Sequence, residues 1–99
     1  MSSAKVFNDV DAALFDCVKE TSLKQHGTVY DPPGANKGTA TTTQPGKIVL
    51  SFDFDPTALT LTYGLIEKPW WVPESAIWNG IGDTINECRG RAVAARSKA

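Results

Sequence analysis

His26, Cys17, Cys88, Asp53 and Asp55 are the side chains of this chain best suited to chemistry. A single histidine rules out any site built from several imidazoles. A Cys–His nucleophile would need Cys17 beside His26, with the thiol open to substrate and the imidazole oriented as its base. Cys17 falls on an apolar helical stripe and His26 lies past the end of that helix, so the pair is not expected to work together. Asp53-x-Asp55 could hold a divalent ion or share a proton, but two carboxylates without further oxygen ligands make a weak site. On an alternating strand such charges usually belong to the solvated face. A small hydrolase or metal-dependent enzyme using Asp53, Asp55 and His26 is therefore the secondary reading.

Two further stretches carry residues associated with ligands. PPGANKGT, residues 32–39, has the glycines and the lysine of a phosphate loop but not the GxxxxGK[ST] spacing. It also precedes a strand pattern where such a loop opens a helix, so it reads as a turn. Thr39, Thr41, Thr43, Thr60 and Thr62 could align on one sheet face, which the strand propensity of threonine explains without a ligand. Near the end, Arg89, Arg91, Arg96 and Lys98 stand without an acid among them. Cations there complement the dipole of a helix C-terminus, and nucleic-acid binding would call for a broader basic surface.

The strongest binding signal is aromatic. EKPWWVPESAIW, residues 67–78, holds all three tryptophans of the chain and two prolines. A residue before proline avoids the helical region, so Lys68 and Val72 are expected to be extended. Neighbouring side chains on an extended segment leave in opposite directions. Of Trp70 and Trp71, one is then expected to face the core and the other solvent, while Trp78 joins the core from the following helix. An exposed indole forgoes the stabilisation of burial and is a common anchor of binding surfaces. The candidate ligand-binding residues are Lys68, Trp70 and Trp71, joined by Phe15 if its ring is exposed.

The elements that position these residues follow from periodicity. Phe7, Val10, Leu14, Cys17, Val18 and Thr21 recur at spacings of three and four, which predicts a helix over 4–24 with Gly27 as its stop and Phe15 off the stripe. GTVY (27–30) and TATTT (39–43) could be short strands around the Pro32–Gly38 turn. QPG (44–46) is a turn into KIVLSFDF (47–54). There Ile48, Leu50, Phe52 and Phe54 share one face, and Val49, Ser51 and Asp53 the other. DPTA (55–58) turns the chain into LTLTYGLI (59–66), with Leu59, Leu61, Tyr63 and Leu65 opposite Thr60, Thr62 and Gly64. Pro73 suits the first turn of a second helix, over about 73–89, with Gly90 as its end or RAVAARSKA as its fraying continuation. Its apolar arc is Ile77, Trp78, Ile81, Ile85 and Cys88, and Gly80 and Gly82 invite a break near 80–82.

The resulting expectation is an α+β, two-layer fold. An antiparallel β-meander of two to four strands carries an N-terminal and a C-terminal helix on one face. Cys17 and Cys88, on the stripes of the two helices, are expected within reach of a disulfide. The 99 residues suit one domain. A net charge of −1 supplies no general attraction to nucleic acid or membrane. No apolar run is long enough to span a bilayer, and a soluble chain is expected, cytoplasmic or secreted with its signal already removed. No cofactor motif is present. The function expected is binding rather than catalysis, through Lys68–Trp71, of a protein, a glycan or a small apolar ligand, with a homodimer as one form of partner.

Overall fold

The computed structural model describes residues 3–43 and 46–97, with side chains through residue 92. The chain runs β1 (Ala4–Phe7), α1 (Ala12–His26), β2 (Val29–Asp31), β3 (Lys37–Thr42), β4 (Ile48–Asp55), β5 (Thr60–Glu67) and α2 (Glu74–Ser97). The strands form one antiparallel sheet of five, ordered β1-β5-β4-β3-β2. The α+β class and the antiparallel meander are as expected, and the sheet has one strand more than the upper figure.

The additional strand comes from the chain start. Ala4–Phe7 had been expected inside the first helix, because Phe7, Val10 and Leu14 happen to fall at helical spacing. Instead β1 pairs with the free edge of β5, Lys5 opposite Tyr63 and Phe7 opposite Leu61, supplying partners for backbone groups that β5 would otherwise leave open. The helix starts only after Asp11, whose Oδ1 accepts from the Leu14 amide at 2.8 Å. It stops at Gly27, as expected. That glycine is left-handed (φ 67°) and donates to Leu23 O, and Thr28 donates to Ser22 O, the pattern that satisfies a helix's last carbonyls.

Shifting the helix start changes its buried face. Leu14, Phe15, Val18, Thr21 and Ser22 are the buried positions. Phe15 is 2 % exposed and stacks against Phe54 with ring centroids 4.7 Å apart, beside Phe52 and Tyr30. It is core, and the expectation that it lies off the stripe fails for that reason.

The hairpin follows its alternation except at Leu59, expected on the apolar face but exposed where the β4–β5 turn holds it at a positive φ of 59°. Ile48, Leu50, Phe52, Phe54, Leu61 and Tyr63 are buried under the helices, while Val49, Ser51, Asp53, Thr60 and Thr62 are more open on the outer face. Helix α2 runs without interruption through Gly80 and Gly82 and extends past Gly90 rather than ending there. Its packing on the sheet outweighs the cost of about 1 kcal/mol per glycine. The turn expected at 44–46 falls largely outside the described residues, as do Lys98 and the side chain of Arg96. Among the described residues no helix is long and apolar enough to cross a membrane.

Each layer is braced by links within it. Cys17 and Cys88 form a disulfide with Cα atoms 5.9 Å apart, joining α1 to α2 across 71 residues of sequence. Arg91 braces the same crossing, donating to Thr21 Oγ1 at 3.1 Å and to Glu87 at 2.9 Å. Over the sheet, Tyr30 from β2 and Tyr63 from β5 reach toward each other until their hydroxyls meet at 2.6 Å. Tyr63 is 1 % exposed. Burial, then the neighbouring Tyr30, pushes its phenol well above the ordinary tyrosine range. Burial raises Tyr30 as well, partly offset by its hydrogen bonds to Tyr63 and Ser22.

Reducing the disulfide with the sequence unchanged should lower the unfolding free energy by about 4 kcal/mol, the chain-entropy value for a loop of this size. Urea denaturation with and without reductant measures it, and equal midpoints would contradict the crossing. The tyrosines give a second test, since the chain has only these two. A folded phenol with a raised pKa holds its proton more tightly than the unfolded one. Its stabilisation is complete below about pH 10 and is lost as pH climbs through the folded value. Near-ultraviolet phenolate absorbance should therefore appear only above about pH 10 and together with unfolding. Ordinary titration in the folded protein would contradict the buried pair.

Candidate functional site

The segment between β5 and α2 is a tight turn rather than the expected extended run. The Val72 amide donates to Pro69 O at 3.1 Å, closing a four-residue turn with Trp70 and Trp71 at its centre. Each end is held. On one side the chain leaves β5 at Glu67. On the other, Val72 is buried in the core at 6 % exposure, and Ala76 N donates to Pro73 O as α2 begins. Burial of Val72 draws the chain inward one residue after the tryptophans, and the two rings are left at the turn's crest.

The expected division of the rings, one inward and one outward, does not occur. Trp70 is 91 % exposed and Trp71 is 51 % exposed. Trp71 rests one edge of its ring against Gly46 in the β3–β4 connection. A Cβ added at Gly46 would fall 2.6 Å from Pro69 Cγ and 3.2 Å from Trp71 Cζ2, so the missing side chain makes room for the turn. Trp78 packs half-buried at the edge of the core, on the side where it was expected, and its Nε1 donates to Glu74 Oε1 at 3.0 Å. Ser3 Oγ donates to the same oxygen. The Ser3 and then the Trp78 hydrogen bonds hold the Glu74 carboxyl below the usual carboxylate range.

The four sequence-derived ligand residues thus separate into three and one. Lys68, Trp70 and Trp71 share the turn, where Lys68 Nζ donates to Pro69 O at 3.4 Å. Phe15 sits beneath α1 among Phe52 and Phe54 and contributes nothing to the surface.

His26, Asp53 and Asp55 are not brought together. His26 closes α1 at the end of the sheet where β4 begins, near Thr42 and Ile48. Asp55 lies seven residues along β4, about 20 Å away at the rise of a strand. Its Oδ1 accepts from the Thr57 and Ala58 amides at 2.9 and 3.0 Å, capping the β4–β5 turn. Asp53 faces the outer side of the sheet, 3.7 Å from Lys37 Nζ. Among the described residues no three of His, Cys, Asp and Glu converge as a metal site would require.

A cleft between the helices has no counterpart among the sequence-derived sites. It opens beside Val72, at the same end of the molecule as the tryptophan turn. Its signal was available in α2, where Ala76, Gly80 and Thr84 recur every four residues and line one ridge of the helix with small side chains. Gly80 had been weighed only as a helix breaker.

No protein-family model, curated protein or solved structure matches this chain.

Acrylamide quenching of three single-tryptophan variants checks the turn. Quenching should be strongest for Trp70, intermediate for Trp71 and weakest for Trp78. A Trp70 as protected as Trp78 would mean that the segment folds down as a lid.

Proposed function

We propose that this chain is a non-enzymatic interaction protein that inserts Trp70, flanked by Trp71 and Lys68, into an apolar pocket on a partner protein. The observation that carries this reading is an indole 91 % exposed on a turn fixed at both ends. Tryptophan buries more apolar area than other side chains and is enriched among residues that dominate binding energy. Because β5 and the buried Val72 set the turn's ends, little conformational freedom remains to be lost on association.

The convex shape of the turn favours a protein pocket over a glycan. Recognition of a sugar needs polar groups around the aromatic platform to read its hydroxyls. The nearby candidates are partly engaged within the chain: Glu74 Oε1 accepts from Ser3 and Trp78, and Lys68 bonds its neighbour's carbonyl. A protruding ring in an apolar socket needs no such fence.

A photo-crosslinking amino acid at position 67, beside the turn and with Trp70 in place, tests the reading in an extract of the native source. A discrete protein adduct is expected, competed by the unlabelled chain and at least about tenfold less well by Trp70→Ala, since truncating such an anchor costs about 2 kcal/mol or more. An adduct of twice the chain's own mass would identify the partner as a second copy. Competition by Trp70→Ala equal to that of the intact chain, or adducts to lipid alone, would overturn the proposal.

A further inference from the structure

The two helices do not close over the whole sheet. They meet at Cys17–Cys88 and around Thr21 and Arg91. Beyond that crossing, the first turns of α2 stand apart from the last turns of α1, and a cleft of about 220 Å³ opens between them and the sheet. Small side chains keep it open, with Ala40 on the sheet side and Ala76 and Gly80 on α2. A Cβ added at Gly80 would meet nothing within 4 Å.

Val18, Ile48, Leu50, Ile77 and Ile81 make most of the remaining wall. Lys, Arg, Asp and Glu are absent from it among the described residues, and His26 at the rim is exposed. A charged ligand would lose its hydration here without gaining a counter-charge, which is strongly unfavourable. A neutral apolar one loses nothing comparable. For scale, an aliphatic cavity of about 150 Å³ accommodates a benzene molecule, so this volume suits one ring with a short substituent.

The wall's polar groups are Ser22, Thr84, which donates to Gly80 O, the Thr28–Thr42 hydroxyl pair at 2.6 Å toward the His26 end, and the Tyr30–Tyr63 hydroxyl pair at 2.6 Å. With Ser22 bonded to Tyr30, three hydroxyls own three hydrogens, and their two mutual bonds use two. The third, and the remaining lone pairs, can serve a ligand hydroxyl or carbonyl. In a desolvated wall such a bond discriminates strongly, because a partner that cannot form it leaves the polar group without compensation.

We propose that this cleft is a binding site for a small uncharged lipophile, a single ring with a short alkyl group and one hydrogen-bonding oxygen that meets the Tyr30–Tyr63 pair. The site is separate from Trp70 and does not depend on the protein partner proposed above.

Calorimetry and amide chemical shifts on the intact, disulfide-bonded chain test it with three probes: 4-ethylphenol, ethylbenzene and the 4-ethylbenzoate anion. One 4-ethylphenol should bind per chain, with shifts centred on Ala40, Leu50 and Ile81, and the anion should bind at least about tenfold more weakly. Tyr63→Phe should weaken 4-ethylphenol about threefold to tenfold and leave ethylbenzene unchanged. Gly80→Leu, which improves helix propensity while filling the mouth, should abolish binding of both neutral probes, and Asp53→Asn on the outer face should alter neither. The proposal is overturned by absence of saturable 4-ethylphenol binding, by equal affinity for the anion, or by Gly80→Leu binding as the unaltered chain does. Equal losses of both neutral probes in Tyr63→Phe would remove the hydroxyl pair from it. Should Tyr63→Phe not fold, the preference of the intact chain for 4-ethylphenol over ethylbenzene decides the same point.

Discussion

A five-stranded sheet with a single apolar face needs a cover about as wide as itself, and this constraint organises the molecule. Four strand spacings of about 4.8 Å make the sheet about 19 Å across between its outer strands. Two helices packed side by side would nearly match that width. Here they touch at one crossing, where the Cys17–Cys88 bond joins them, and separate beyond it. The aromatic core of Phe15, Phe52 and Phe54 fills one part of the space beneath them. The Tyr30–Tyr63 bridge stands between that core and the part left open. Tyrosine suits this boundary because its ring packs as core while its hydroxyl finds a partner.

The tryptophan turn follows from the same constraint. The chain must pass from the end of β5 to the start of a helix lying over the sheet, and it turns inward at Val72 to do so. Burying Val72 and closing the Val72–Pro69 hydrogen bond leaves Trp70 and Trp71 on the outside of the bend. Their exposure is a geometric consequence of the residues around them, which is why the segment can present apolar rings without disturbing the fold. Pro69 and Pro73 restrict the backbone on both sides, and Gly46 clears the space beneath.

Much of this was legible in the sequence. Period-two alternation identified β4 and β5 and their buried faces, because a one-sided sheet forces that pattern. The two cysteines lay on helical stripes and proved to be bonded. The chain start was misleading for a specific reason: Phe7, a strand residue, and Val10 before the helix cap extend the spacing of Leu14 and Val18 by coincidence. Only the open edge of β5, which lies far away in sequence, makes β1 a strand. Phe15 was misassigned in consequence, since a stripe drawn from Phe7 rotates away from the true one. At the tryptophans, the rule for residues before proline says nothing of the two residues between Pro69 and Val72, whose conformation depends on where Val72 is buried. The cleft leaves only a faint trace, the small-residue ridge of Ala76, Gly80 and Thr84. It is made by side chains that are absent, at Ala40, Ala76 and Gly80, and becomes visible only when the helices are placed.

The central claim is that the aromatic crest is held rigid before any partner arrives. Backbone ¹⁵N relaxation of the Trp70 and Trp71 amides in the free chain measures this most directly. A crest held rigid gives order parameters of about 0.85, like those of the strands. Values below about 0.6 would show a flexible loop and contradict it.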